Sequence, residues 1–390
     1  MRVLISGTAG AGGWPAPGCG CASCARLLPG HRRPTEVVLG VEAPLRLPLP
    51  EPGRVFPEAG VRLPPGYLAS AGPDGLVVTA PSGHRILHAA PPGHAAPPAS
   101  TTPPASAVPS APGRPAGDDG AACDLVLIDP LDRPERLGDL RRRGVLTERT
   151  HVVAVGLDHR VPSEAELARR ALLWGVRAVP DGTVLDLGEP APARPAPPRR
   201  TLLMGGTRSG KSAEAELRLA AEPEVLYVAT GPSGAGDAEW ERRIRAHRDR
   251  RPAHWATVET TDLAGLLRTS RTPMLIDGLG TWIAAVFDEC GAWPDASGGN
   301  DGNDTGGTDG TDGAARLEAV AARCDELVAA WRQARSRVVA VSDEVGLGVV
   351  PVSAGGRMFR DALGGLNQRL ALESEDVALV VAGRLLPLPV

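Results

Sequence analysis

Eight consecutive residues, Gly205-Gly206-Thr207-Arg208-Ser209-Gly210-Lys211-Ser212, satisfy the spacing G-x-x-x-x-G-K-S. Glycines let such a loop wrap around phosphates, amides at the start of a following helix supply donors, Lys211 adds positive charge, and the Ser212 hydroxyl suits magnesium. The loop stands between an apolar run, Thr201-Leu-Leu-Met204, and a helical pattern, which is the context this chemistry requires. A plain Gly-rich turn is the poorer reading. Asp277 ends another apolar run, Pro273-Met-Leu-Ile-Asp277, where a carboxylate can orient the magnesium of a bound nucleotide or simply cap the next turn.

Two further constellations are chemically suggestive. Cys19-Gly-Cys21-Ala-Ser-Cys24 can offer three thiolates to one ion, although four-coordinate structural zinc needs another ligand. The other cysteines stand alone at 123, 290 and 324, so the cluster reads as metal-binding or reduced thiol rather than as a disulfide framework. Between Trp240 and Trp255, helical spacing puts Trp240, Ile244 and His247 on one stripe with Arg248, Arg250 and Arg251 beside it. On spacing alone, His247 reads more readily as a half-buried packing residue than as a catalyst, and the arginines as a solvated face.

The elements that must position these groups show as short, nearly continuous apolar runs at 201–204, 224–229, 273–277, 337–342 and 377–382. Such runs fit strands covered on both faces. Amphipathic segments near 211–221, 238–250, 314–336 and 357–372 lie between them, predicting a mostly parallel sheet with flanking helices. The front half is less regular. Strands are expected at 125–129, 151–155 and 184–187, and a capping box, Ser163-Glu-Ala-Glu166, opens a helix whose stripe of Leu167, Ala171 and Trp174 ends at Gly175.

The chain holds 48 Gly and 39 Pro against 3 Phe and 2 Tyr, so long turns and linkers are expected within its 390 residues. Residues 89–118 carry nine prolines in thirty positions and read as a mobile insertion. The Pro-rich stretch 189–198 marks a linker between a front domain, 1–188, and a second domain, 199–390. Residues 295–313, rich in Gly, Asp, Asn and Thr, read as a solvated surface loop that lacks the terminal Glu of a calcium loop. A net charge of −4 makes a nucleic-acid partner unexpected. No run approaches the ~18 apolar residues of a membrane span, and the opening residues lack a signal core, so the chain is expected in the cytoplasm.

Residues 199–390 closely resemble the bifunctional adenosylcobinamide kinase and adenosylcobinamide-phosphate guanylyltransferase family of cobalamin biosynthesis. The likeness lies in GGTRSGKS at 205–212, RIRAHRDRRPAHW at 243–255, DEVGLGVVP at 343–351, and the closing stretch from Arg357 through Asn367-Gln368 to LVVAG at 379–383. The resemblance implies a fold like that of P-loop NTPases. It also implies phosphorylation of adenosylcobinamide with ATP or GTP and Mg2+, then GMP transfer from GTP through a histidine–GMP intermediate. In this likeness His247 is the nucleophile, Arg248, Asp249, Arg250 and Arg251 hold the guanine nucleotide, and Glu259 and Asp277 are further nucleotide or magnesium positions. Many members have two adjacent histidines where this chain has Ala246-His247, and the family's Asn before Glu344 is Asp343 here. Family assemblies imply a homo-oligomer, commonly a trimer.

The segment ISGTAGAGGWPAPGCGCASCA at 5–25 resembles the opening of metallo-β-lactamase-fold phosphodiesterases of the phosphonate-degradation type, and Val155-Gly156-Leu-Asp-His159 resembles their closing strand. This implies structural Zn2+ on Cys19, Cys21, Cys24 and His159. The family's H-x-H-x-D-H run is absent and Gly156 stands where a catalytic histidine is offered, implying a truncated, degenerate domain without hydrolysis. The function expected overall is a nucleotide-dependent transferase, with a P-loop regulatory protein lacking transferase activity as the alternative.

Overall fold

The computed structural model describes residues 1–40, 45–47, 63–89, 122–231, 251–294 and 309–389, the side chains of 309–311 excepted. The Pro-rich stretch beyond Ala89, the helical segment expected near 238–250 and most of the 295–313 loop lie outside these residues. Two compact units divide between Pro195 and Ala196.

In the front unit the strands are β1 (Arg2–Gly7), β2 (Glu36–Leu39), β3 (Leu45–Leu47), β4 (Leu68–Gly72), β5 (Gly75–Thr79), β6 (Arg85–Ala89), β7 (Leu125–Ile128), β8 (His151–Ala154) and β9 (Thr183–Asp186). Helix α1 (Glu135–Arg142) joins β7 to β8, and α2 (Glu164–Trp174) follows β8. One sheet runs β3-β2-β1-β9 and a second runs β4-β5-β6-β7-β8. All pairs in the first are antiparallel, whereas β6, β7 and β8 are parallel. Alternate residues of β1 and β2 share one core with Ile86, Leu125, Leu127 and Val153, so the two sheets stack on a common apolar layer. Half of the expected capping box forms: Ser163 accepts from the Glu166 amide, whereas the Glu166 carboxylate turns to Arg169 and Arg170, and Gly175 ends α2 in the left-handed conformation.

The second unit contains β10 (Arg200–Gly205), α3 (Lys211–Leu219), β11 (Leu226–Ala229), β12 (Ala256–Glu259), α4 (Leu263–Thr269), β13 (Met274–Asp277), α5 (Leu279–Glu289), α6 (Asp309–Arg332), β14 (Val338–Asp343), α7 (Ala354–Leu372), β15 (Asp376–Val381) and β16 (Arg384–Pro387). The sheet order is β12-β11-β13-β14-β10-β15-β16, parallel throughout except for the last pair. Successive residues face opposite layers. Leu202, Met204, Met274, Ile276, Val338 and Ala340 pack with Trp282, Phe287, Leu327 and Leu366. On the other face Leu203, Leu275, Val339 and Val341 pack with Ala215 and Leu219 of α3. Burial on both faces accounts for the continuous apolar runs.

One expectation is corrected. The end of the loop read as solvated through Gly313 is helical, because α6 begins at Asp309. Its first turns gain an ion pair between Asp312 and Arg316, 2.9 Å apart and one turn on.

Burial pushes the pKa of the His88 imidazole on β6 down from 6.5 to about 4. The unfolded chain takes up this proton near pH 6.5, whereas the folded unit refuses it until about pH 4. His88 therefore leaves stability intact above pH 6.5, and stability is lost as pH falls toward 4. Urea unfolding of the full chain should show the front unit weakening through this window, with a shallower decline in His88→Leu.

Candidate functional site

The Gly205–Ser212 loop leaves the carboxyl end of β10 and enters α3, whose first residue is Lys211. Close backbone contact dictates its composition. A Cβ on Gly205 would lie 2.5 Å from the Val380 carbonyl oxygen and 2.6 Å from Ser209 Oγ. Gly210 caps the helix at φ +98°, a conformation that other residues resist. The Gly383 amide donates to the Ser209 carbonyl at 2.8 Å, tying the loop to the turn after β15. Arg208 also has positive φ, 57°, and with Gly206 and Thr207 it faces solvent. A strained, exposed loop at a helix N-terminus can surround a polyphosphate with amide donors.

Lys211 is buried, with Nζ 3.1 Å from the Gly206 carbonyl oxygen and 2.9 Å from Asp343 Oδ1. Ser212 donates from Oγ to Asp277 Oδ1 at 3.1 Å. The other oxygen of Asp277 accepts from the Tyr227 hydroxyl. Burial, and then the adjoining Asp277 carboxylate, push the Tyr227 phenol well above its usual range, so it stays a donor. Over the Tyr227 ring lies the Arg251 guanidinium, its carbon 3.1 Å from the centroid. A hydroxyl and a carboxylate oxygen at this spacing are hard donors suited to magnesium.

Sheet register brings these groups to one edge. Ala229 pairs with both Glu259 and Asp277, and Gly205 pairs with Asp343. Glu259 is exposed at the end of the outer strand β12. His247, Arg248, Asp249 and Arg250 lie outside the described residues, and of the expected nucleotide segment Arg251 alone is placed. Tyr227 is a member of the site that the sequence does not announce. No local motif marks it; strand pairing alone puts its hydroxyl on Asp277.

In the front unit the atoms Cys19 Sγ, Cys21 Sγ, Cys24 Sγ and one His159 nitrogen all lie within 4.8 Å of one another. His159 Nδ1 is 3.9 Å from both Cys19 Sγ and Cys24 Sγ. The Cys24 amide donates to Cys21 Sγ and lowers that thiol's pKa, while burial raises that of Cys24. Trp14 Nε1 donates to Ser23 Oγ at 3.2 Å and Ser23 Oγ donates to the Val161 carbonyl at 2.7 Å, clamping the cysteine loop to the His159 segment. Close by, the Arg160 guanidinium bonds Asp129, Asp132, Asp158 and the Gly156 carbonyl. All three carboxylates share the one guanidinium.

Gly205→Ala tests the loop geometry. Its Cβ must push Val380 and Ser209 away, and nucleotide affinity measured by calorimetry should drop about tenfold or more. Unchanged affinity would mean that the close approach does not shape the cradle.

Residues 201–388 match the family described as cobinamide kinase / cobinamide phosphate guanyltransferase. The bifunctional adenosylcobalamin biosynthesis protein CobU of Salmonella typhimurium is 38% identical over 186 residues, covering 47% of this chain and 95% of that protein. The corresponding protein CobP of Pseudomonas aeruginosa is 39% identical over 196 residues, covering 49% and 96%. Among solved structures, the P4 protein of bacteriophage phi6 in complex with ADP is 15% identical with a TM-score of 0.21, covering 50% of this chain and 55% of that one. Through its second unit, the chain belongs to the cobinamide kinase / cobinamide phosphate guanyltransferase family.

Proposed function

We propose that the second unit phosphorylates the hydroxyl of adenosylcobinamide with ATP or GTP and then transfers GMP from GTP to the new phosphate, giving adenosylcobinamide-GDP. The observation that carries this reading is the loop from Gly205 to Ser212, with Lys211 at its base and Ser212 hydrogen-bonded to Asp277. Loop amides and Lys211 bind the β- and γ-phosphates and offset charge as the γ-phosphoryl group moves. Ser212 and Asp277 hold Mg2+, which supplies charge neutralisation on the phosphate oxygens. Tyr227 keeps Asp277 turned toward the loop.

For guanylyl transfer, the His247 imidazole attacks the α-phosphorus of GTP, forming a P–N bond as the bond to pyrophosphate breaks. A phosphate oxygen of the corrinoid then attacks the same phosphorus and releases the imidazole. Arg248, Asp249, Arg250, Arg251 and Glu259 hold the guanosine. The roles given to residues 247–250 rest on the resemblance of their motif to the family's. The enzyme works in the cytoplasm as a homo-oligomer, on small molecules rather than nucleic acid. Among the described residues no helix is long and apolar enough to cross a membrane.

Incubation with GTP labelled at the α-phosphate tests this mechanism. His247→Ala should form no acid-labile adduct and make no adenosylcobinamide-GDP while keeping much of its kinase rate; Lys211→Ala should lose both activities. Normal product formation by His247→Ala would refute the covalent route.

For the front unit we propose a structural zinc site in a degenerate metallo-β-lactamase-like fold. Three thiols and an imidazole are the donor set of such sites, and a tetrahedron with Zn–S near 2.3 Å and Zn–N near 2.0–2.1 Å has N···S edges of about 3.6 Å. The separations of 3.9 Å around His159 Nδ1 support this fit. Gly156 offers no imidazole, and the neighbouring Asp129, Asp132 and Asp158 are engaged by Arg160. Both observations support a unit without hydrolytic activity. Purified protein should contain about one zinc per chain by elemental analysis, lost in Cys21→Ser. Zinc content unaffected by that change would end the proposal.

A further inference from the structure

The cation of the phosphate loop already has an anionic partner. Asp343 ends β14, the strand hydrogen-bonded to β10 on one side and β13 on the other. Its carboxylate lies 2.9 Å from Lys211 Nζ, with Lys211 10% and Asp343 41% exposed. Several features hold this residue in place. The Glu344 amide donates to the Gly205 carbonyl at 3.2 Å. Asn367, buried on α7, donates to the Asp343 carbonyl at 3.0 Å and accepts from Ser342 Oγ at 2.6 Å. On the far side the carboxylate lies against the first turn of α5 at Gly280, where a Cβ would lie 2.5 Å from Asp343 Oδ2. The pair is part of the folded edge and not a chance surface contact.

We infer that Asp343 is a built-in phosphate substitute, displaced from Lys211 by incoming nucleotide, and that it sets both nucleotide affinity and its dependence on divalent cation. The inference rests on the reading of the Gly205–Ser212 loop as the nucleotide site. Without nucleotide, the carboxylate neutralises a buried ammonium group whose burial would otherwise be costly. When a triphosphate enters, Lys211 turns to the phosphates and Asp343 is left as a second anion beside a polyanion. Two like charges several ångströms apart in a half-buried setting repel by an amount comparable to a tenfold change in affinity. A divalent cation on the phosphates removes most of that repulsion. Asp343 thus penalises metal-free nucleotide selectively and favours entry of the metal-bound form.

Calorimetric titration of the full-length protein with GTP, once in chelator and once with Mg2+, reads this directly. Asp343→Asn keeps the shape and an acceptor oxygen but removes the charge. It should bind metal-free GTP about tenfold more tightly than the parent, and the gain from adding Mg2+ should shrink by a similar factor. Asp343→Ser should behave alike, and thermal unfolding midpoints near the parent's confirm that both variants are folded. Metal-free affinity that is unchanged or weaker in both variants overturns the inference. So does a loss confined to the Mg2+ titration, which would make Asp343 a metal ligand. If the parent protein binds no GTP even with Mg2+, it is the nucleotide-site reading that fails, and this inference with it.

Discussion

In the second unit, backbone must pass close to backbone where β10 turns into α3. The carbonyl of Val380 and the hydroxyl of Ser209 leave no space for a side chain at Gly205, and the turn is completed through Gly210 with positive φ. Everything chemical is arranged around that closeness. Because six neighbouring strands run parallel, their carboxyl ends share one edge, and Asp277, Asp343 and Glu259 reach it from three different strands. The helices that cover the sheet bury aliphatic and Trp side chains on one face and the apolar side of α3 on the other, and Tyr227 belongs both to that second core and to the edge it supports.

Charge is managed differently in the two units. Around the phosphate loop, hydrogen bonds pass from Ser212 and Tyr227 to one carboxylate, and Lys211 meets another, leaving groups that can exchange partners when a ligand arrives. In the front unit the pairs are closed. Arg32, buried, bonds both oxygens of Glu164 together with Thr8 and the Val179 carbonyl, and Arg160 gathers three aspartates. Saturated guanidinium groups of this kind cement loops; they do little to receive a substrate.

The phosphate loop was legible because its meaning lies in eight adjacent residues. So were the inner strands, since burial on both faces writes itself as an unbroken apolar run. The outer strands β12 and β16 were not legible, because their exposed residues leave no such run. In the front unit the hairpin of β4 and β5, with Gly72 paired to Gly75, likewise lacks alternation. Helix α4 had a readable cap, Asp262 accepting from the Gly265 amide, but only seven residues of pattern behind it. Tyr227 stayed hidden, and Asp343 showed only as a departure from the family's Asn, for another reason. Their roles arise from which residue faces which across the sheet, and pairing register is a property of the assembled edge. The cysteine trio was legible as a cluster, whereas its His159 partner came through resemblance alone.

The bond from Ser23 to the Val161 carbonyl joins positions 138 apart, and the whole Pro-rich stretch lies between them in sequence. Loop-closure entropy rises only with the logarithm of length, so doubling such a span costs about 0.6 kcal/mol. The two ends of the front unit are therefore pinned locally, by Trp14, Ser23 and the Arg32–Glu164 pair, at a free-energy cost almost indifferent to how much chain intervenes. Changing the length of the chain between these pins alters the stability of the unit by only a fraction of a kcal/mol, about 0.6 for a doubling.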